Sequence, residues 1–361
     1  MNTARNITYG KAICEATDLC LERDPNVIVY GLGVPDPKRI FGTTAGLSEK
    51  YGRERVFDTQ IAENALTGFA VGAATMGIRP LLVHMRLDFA LLSLDQIFNN
   101  AAKWHYMFGG KLKCPITIRM LVGRGWGQGP QHSSSYQALF AHVPGLKVVM
   151  PTTPHDAKGL LISAIEDDSP VIYIEHRWLH NISGPVASGH FKEPLCKARV
   201  VRPGKDITIV ATSYMVMEAF RAAEELALHG FDAEVIDLRT IAPYDRPAIL
   251  ESVRKTGRLI VADTGHLSFG VASEIVAWTT ENAFASLKAA PCRIASPDSP
   301  APTTPGLTKF YYPKSQTIAE KVLALMGVSD QGKLKRIVEN LSLLEGKVPS
   351  DKPDLAFTGP F

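Results

Sequence analysis

Residues Val56–Gly77 read VFDTQIAENALTGFAVGAATMG. Two apolar, β-prone residues, Val56 and Phe57, lead into a turn at Asp58 and Thr59. A run of Ala, Gly, Leu and Val follows and predicts a long, small-residue helix. The first part of that helix carries one carboxylate, Glu63. An acid there has two readings. It is a first-turn residue favoured by the helix dipole, or a buried acid with a chemical task. The pattern alone leaves both open.

Outward from this stretch, strands and helices alternate. On its N-terminal side, Tyr9–Arg23 has apolar residues at helical spacing and Asn26–Gly31 (NVIVYG) predicts a buried strand. A loop with Pro35, Asp36 and Pro37 leads to a short helical piece ending at Tyr51. On its C-terminal side, Arg79–Met85, Pro115–Val122, Lys147–Met150 and Pro170–Glu175 predict strands. Asp95–Tyr106 and Asp156–Glu166 predict helices, and another begins near Ser134. Short connections between alternating elements define a parallel α/β domain over residues 1–180. The polar, Gly- and Pro-broken stretch 181–197 reads as a linker. A second α/β domain, 198–329, has strands at Asp206–Ala211, Ala233–Asp237 and Arg258–Asp263. Its helices are expected at Met217–His229, Pro247–Thr256 and Gly270–Ala285. Residues 330–361 read as an extension, a charged helix (Lys333–Leu344) followed by an extended arm or disordered end, KVPSDKPDLAFTGPF.

At 361 residues the chain is long enough for two domains. With 45% hydrophobic and 21% charged residues it has the composition of a soluble globular protein. Its net charge of +3 is scattered, which gives no nucleic-acid footprint and no polybasic membrane patch. The first residues carry acids and no long apolar core, so a signal peptide is not expected. No apolar run is long enough to span a bilayer. The five cysteines are far apart and form no CxxC pair, which argues against disulfides and zinc and fits a reducing cytoplasm.

The loop Gly123–Gly129 (GRGWGQG) holds four glycines. It lacks the order of a P-loop and of the dinucleotide fingerprint, so a mobile or close-approach loop is the better reading than a phosphate cradle. His132 follows it in PQHSSS. A histidine between a glycine loop and a helix start is placed either for proton transfer or simply at the surface. His84 sits in an apolar strand and reads as core. His142 precedes a Pro-Gly turn, and His176, His180 and His190 fall in or near the linker. No HExxH spacing and no GxSxG elbow occurs.

The ordered set of motifs resembles one family. DTQIAEN, GFAVGAA, DFALLSLDQIFNNAAK, GPQHSSS, HVPGLKVVMP, DAKGLL, VIDLRTIAPYD and ESVRKTGRLIVAD look like the β subunit of the thiamine-diphosphate-dependent decarboxylating component of 2-oxo acid dehydrogenases. The likeness runs from about Thr8 to Met326 in the family's order and spacing. It implies a transketolase-like, pyrimidine-binding parallel-sheet domain followed by a transketolase C-terminal α/β domain. It also implies that Glu63 bonds the aminopyrimidine nitrogen of the cofactor, with a pKa raised by burial among small residues. Phe89 would stack on the pyrimidine, with Ile61 and Met85 beside it. His132 matches the mobile-loop histidine used in proton transfer and in passing on the acyl group. Ile116, Ala164, Asp167 and Ser169 fall where some members hold a potassium ion.

Three features depart from the pattern. Leu32 stands where members commonly have an acid, one that relays a proton between paired active sites. Val83 stands where a Glu is common, and the tail after Met326 is extra. No GDG segment for magnesium and diphosphate occurs anywhere in the chain. The resemblance therefore implies an α subunit that supplies the Mg2+ ligands, an α2β2 assembly, and acyl transfer to the lipoyl group of an acyltransferase. The competing readings are a split transketolase-like or acyloin-forming enzyme that donates a two-carbon unit to an aldehyde or sugar, and a scaffold subunit without chemistry. Retention of both Glu63 and His132 argues against the last.

Overall fold

The computed structural model describes residues 4–36, 40–124 and 127–345. The chain forms two compact units. The first takes residues up to Ser134 and Leu139–Leu195; the second takes Ser135–Ala138 and the residues from Cys196.

In the first unit, in chain order, lie β1 (Ala4–Thr8), α1 (Tyr9–Arg23), β2 (Val27–Tyr30), α2 (Leu47–Tyr51), β3 (Val56–Phe57), α3 (Glu63–Thr75), β4 (Arg79–His84), α4 (Leu87–Ala90), α5 (Ala102–Met107) and β5 (Thr117–Val122). There follow α6 (Gln137–Ala141, which starts in the second unit), β6 (Lys147–Val149), α7 (Pro154–Ile165), β7 (Val171–His176) and β8 (Ser183–Ala187). The strands lie in the order β6-β7-β5-β4-β2-β3, each neighbouring pair parallel. Every residue of β5 and β7 is buried, as strands covered on both faces require. Thr8 caps α1 by accepting from the Lys11 amide at 3.2 Å, and Thr153 caps α7 with Pro154 at its first position. Gly31 ends β2 with φ +152°, and a Cβ there would lie 2.2 Å from the Val83 carbonyl oxygen, so only glycine allows this approach of β2 to β4.

Two local readings differ from the structure. Asp95–Tyr106 is not one regular helix, because Gln96–Ala101 is π-helical and α5 continues from it. Side-chain amides line this turn, with Asn99 Nδ2 donating to Asp95 Oδ1 at 2.8 Å and Asn100 Nδ2 to Gln96 Oε1 at 3.0 Å. A wider helical turn leaves the amphipathic pattern nearly unchanged, so periodicity does not reveal it. The stretch read as linker contains β8, which pairs antiparallel with β1 from Ala4↔Ala187 to Thr8↔Ser183. Gly184 and Pro185 disguise it, and an edge strand tolerates both.

The second unit contains β9 (Arg199–Arg202), β10 (Ile207–Ala211), α8 (Tyr214–Ala227), β11 (Ala233–Asp237), β12 (Thr240–Ala242), α9 (Arg246–Thr256), β13 (Leu259–His266), α10 (Val271–Ala283), β14 (Cys292–Ser296), α11 (Pro305–Thr308), α12 (Ser315–Leu325) and α13 (Gln331–Glu345). Its five-stranded sheet has the order β14-β13-β10-β11-β9 and is parallel except for β9. Ile209, Val235 and Ile260 form one core with Ala219, Ile318 and Val322. Ile337 and Leu341 of α13 are buried in that same core, so the charged helix beyond residue 330 packs on this unit. The end KVPSDKPDLAFTGPF lies outside the described residues.

Candidate active site

The chain passes from β2 to β3 on one side of the sheet and then crosses to β4 on the other. Open parallel sheets take ligands outside the carboxyl ends of their strands at such a reversal. Glu63 follows β3, Phe89 follows β4 and His132 follows β5, so this topology puts all three at the carboxyl end of the sheet.

Glu63 is the first residue of α3, and Ala62 before it provides no side-chain cap. The dipole of the helix favours a carboxylate at this position. The expected enclosure is not present in the chain itself: Glu63 is half-buried, and its neighbours Ala62, Asn64 and Ala65 are exposed. Ile61 is 75% exposed, Phe69 52% and Met76 83%, so the apolar run covers an outer surface rather than the acid. The other face of α3 holds the helix to the sheet. Tyr30 at the end of β2 stacks on Phe57 at 5.2 Å and donates from its hydroxyl to the Leu66 carbonyl at 2.8 Å.

Phe89, half-buried in α4, meets the His132 ring edge to face at 5.4 Å with the planes at 88°. Met85, also half-buried, directly follows β4. His132 ends a short 3-10 turn, Pro130–His132, and is half-buried. The structure thus joins Phe89 to His132, while Ile61 stands out toward solvent. In the glycine loop, Gly125 and Trp126 lie outside the described residues. At the first departure, Leu32 is half-buried and the next amide, of Gly33, donates to Asp58 Oδ1 at 2.6 Å. Val83 is buried in β4.

Ile116, Ala164, Asp167 and Ser169 gather where α7 ends and β5 and β7 begin. Val171 donates its amide to the Ile116 carbonyl at 2.9 Å, and Thr117 Oγ1 donates to the Ala164 carbonyl at 3.0 Å. Asp167 accepts from Lys147 Nζ at 2.6 Å and from the Ser169 amide at 2.8 Å, and its carbonyl accepts from Arg79 at 2.9 Å. Among the described residues, no group of three or more His, Cys, Asp or Glu is placed to hold a metal ion.

A buried polar network toward the carboxyl end of the sheet escaped the sequence reading. Arg119 Nε donates to Glu175 Oε1 at 2.6 Å, and Arg119 also donates to Thr43 Oγ1 at 2.9 Å. His180 Nε2 lies 3.1 Å from Glu175 Oε2. Burial works to raise the Glu175 pKa, but the charge of Arg119 and the His180 bond overcome it and hold the carboxyl at about 2. Burial pushes His180 down from its ordinary value. His176 and His180, which precede the stretch read as linker, are buried groups at and just beyond the end of β7. The Arg177 guanidinium sits 4.1 Å over the Phe41 ring and that of Arg86 5.8 Å from it. Burial and the charge of Arg86 bring the Arg177 pKa to about 9. The available signal was charge inside apolar strands, Arg119 in TIRMLV and Glu175 in VIYIEH.

A parallel sheet that carries Glu63, Phe89 and His132 at its carboxyl end, joined in sequence to a second α/β unit, defines the transketolase-like class. Residues 5–181 match the transketolase pyrimidine binding domain, and residues 196–318 match the transketolase C-terminal domain. The chain belongs to this family, among the β subunits of thiamine-diphosphate-dependent 2-oxo acid dehydrogenases. It is 44% identical over 326 residues to the β subunit of acetoin:2,6-dichlorophenolindophenol oxidoreductase from Cupriavidus necator, covering 88% of this chain and 96% of the relative. It is 42% identical to the mitochondrial pyruvate dehydrogenase E1 component subunit beta-1 of Arabidopsis thaliana, covering 87% and 88%. Among solved structures, a split-gene transketolase described as an inactive β4 tetramer shares the fold. Its TM-score is 0.73 at 23% identity, covering 89% of this chain and 99% of that one.

Proposed function

We propose that this chain works as the β subunit of a thiamine-diphosphate-dependent enzyme that decarboxylates a 2-oxo acid and passes the acyl unit to a lipoyl group. The observation that carries the reading is the position of Glu63, Phe89 and His132 after successive strand ends β3, β4 and β5, in a chain 40% or more identical to several pyruvate dehydrogenase E1 β subunits. The residues present fit the pyrimidine half of the cofactor: a carboxylate at a helix start, an aromatic ring and apolar neighbours. Thiamine diphosphate, when bound, supplies the electron sink for cleavage next to a carbonyl. Glu63 holds a proton at the pyrimidine nitrogen. Phe89 stacks on the ring, and Ile61 and Met85 close its sides. His132 moves a proton at the reacting group through a ring nitrogen. The outward apolar residues on α3 and just before it, Phe69 and Ile61 among them, are covered by a partner subunit, which supplies the enclosure that Glu63 lacks in the single chain.

With no GDG segment in this sequence, the magnesium ligands come from an α subunit, and the assembly is α2β2 with an acyltransferase downstream. A potassium ion at the end of α7 would draw on the Ile116 carbonyl, which the Val171 amide leaves with one lone pair, with Ala164, Asp167 and Ser169 beside it, where the helix dipole favours a cation. The five free cysteines fit a reducing cytoplasm. Among the described residues no helix is long and apolar enough to cross a membrane. A second reading, cleavage or formation of an acyloin, is favoured by the relative named for acetoin, at 44% identity.

Co-expression with the α chain and an assay of CO2 release from a panel of 2-oxo acids test both readings. Release that depends on thiamine diphosphate and on both chains is expected. Consumption of acetoin without CO2 release would select the second reading, and turnover of neither substrate class would overturn both.

A further inference from the structure

His132 is followed, three residues along, by a segment that folds with the second unit. Within that unit, Ser135–Ala138 packs by polar contacts. Gln137 is fully buried and donates Nε2 to Asp263 Oδ1 at 2.8 Å. The same Nε2 lies 3.2 Å from Thr264 Oγ1, and Gln137 Oε1 accepts from Ser135 Oγ at 3.0 Å. Ser135 Oγ and Thr264 Oγ1 are 2.9 Å apart, which closes a ring of hydrogen bonds. Thr212 Oγ1 donates to Asp263 Oδ1 at 2.6 Å, and the amides of Thr264 and Gly265 also bond the carboxyl.

The place of this ring matters. Thr212 directly follows β10, and Asp263 and Thr264 lie in β13, its parallel neighbour. The chain leaves β10 for β11 on one side and returns to β13 on the other, so this is the reversal point of the second sheet. Such a crevice ordinarily takes a ligand; here Ser135 and Gln137 enter it. The fit is close. A Cβ at Gly265 would lie 2.8 Å from Asp263 Oδ2, 3.1 Å from Gln137 Nε2 and 3.3 Å from the Ser135 carbonyl oxygen. Burial raises the Asp263 pKa against the pull of the Thr212 and Gln137 bonds. Oδ1 accepts from Gln137 whether or not Oδ2 carries a proton.

We propose that Asp263 is a positioning residue: through Gln137 it pins the segment that begins three residues after His132 and so fixes the reach of that imidazole. The proposal rests on the reading of His132 as the proton-transfer residue. A purely structural polar cluster would destabilise the enzyme when broken and slow every step alike. A positioning contact predicts a loss in kcat with binding kept.

The test uses the assembled two-subunit enzyme with thiamine diphosphate, comparing wild type, His132→Ala, Gln137→Glu, and Gln137→Glu combined with Asp263→Asn. Gln137→Glu sets carboxyl against carboxyl; the combined variant exchanges donor and acceptor and restores the bond. The single variant is expected to lose about tenfold in kcat, equal to ~1.4 kcal/mol of barrier, with KM for the 2-oxo acid within about twofold. The combined variant should recover to within about threefold of wild type. Amide hydrogen exchange over residues 127–138 should quicken in the single variant and slow again in the combined one. Should Gln137→Glu fail to assemble, Ser135→Ala opens the same ring more gently, with the same split expected. Slow turnover in His132→Ala with wild-type kcat in Gln137→Glu, or a combined variant no better than the single one, would overturn the positioning role and leave the reading of His132 standing. Wild-type turnover in His132→Ala would remove both.

Discussion

Glu63 occupies the first turn of α3 and is half-buried in the chain alone. The dipole reading and the chemical reading therefore describe one position, because the helix start that tolerates the charge also presents it at the carboxyl end of the sheet. Replacing Glu63 by Gln keeps the shape and removes the carboxylate. In the reconstituted enzyme, exchange of the cofactor C2 proton should become nearly undetectable while the fold and assembly persist; an unchanged exchange rate would remove Glu63 from the role. The His132 ring meets the Phe89 ring at 5.4 Å, so the proposed stacking and proton-transfer roles would share one locus. His132→Ala should cost roughly 10²- to 10⁴-fold in acyl or proton transfer, the usual worth of a positioned acid–base group, with cofactor affinity little changed. Turnover within about twofold of wild type would make the residue structural only. Both residues were candidates that motif order offered in the sequence. The network of Arg119, Glu175 and His180 was not legible there, because Arg119 lies 56 residues from Glu175 and meets it only across the neighbouring strands β5 and β7.

In the first unit β4 and β7 end in buried histidines, His84 and His176, and a dependence of stability on acid follows from them. Burial holds His84 at the end of β4 at about 4. Burial, with the charges of His180 and Arg86, holds His176 at the end of β7 at about 3. Both values lie below the ordinary 6.5, so the folded state binds fewer protons than the unfolded chain. Their contribution is complete above pH 6.5 and is lost as pH falls toward 4 and then 3. Each group accounts for up to ~1.4 kcal/mol per pH unit across its window. Urea unfolding should show a midpoint that drops between about pH 7 and about pH 5, and His84→Leu should flatten that drop. A pH slope identical in the variant and wild type would show that His84 does not carry it. Glu175, held at about 2, acts in the same direction over a lower window: its contribution is complete above its ordinary 4.5 and is lost as pH falls toward 2. At this scale most helices and strands were read correctly to within a few residues, since buried apolar runs and caps are local signals. The π-helical turn at Gln96–Ala101 and the strand β8 were missed because each depends on partners rather than on period.

The first unit leaves Ile61, Phe69, Met76, Leu92 and Tyr106 exposed, with Tyr106 at 89%. Large apolar side chains left in water in this way mark surfaces that a partner covers. The chain also lacks a GDG segment for magnesium. Pyrimidine stacking and one hydrogen bond are worth about 1–3 kcal/mol together, whereas micromolar binding needs about 8 kcal/mol. Calorimetry on the purified chain with excess magnesium should therefore show no micromolar binding of thiamine diphosphate, and addition of the α chain should restore it. Micromolar, magnesium-dependent binding by the chain alone would mean that it holds a complete site.

The sequence by itself determined the α/β class, the run of strands and helices, the family and the candidacy of Glu63, Phe89 and His132. Those follow from local hydrophobic period, turn chemistry and the order of motifs along one dimension. Tertiary structure alone decided that Phe89 meets His132, that α13 completes the second core, and that Gln137 is fixed by Asp263 across 126 positions of chain. It also placed Arg119 against Glu175, 56 residues apart, in a fully buried pair. Polar side chains distant in sequence carry no periodic signature. Their pairing is set by strand order and burial, which exist only once the sheet has formed.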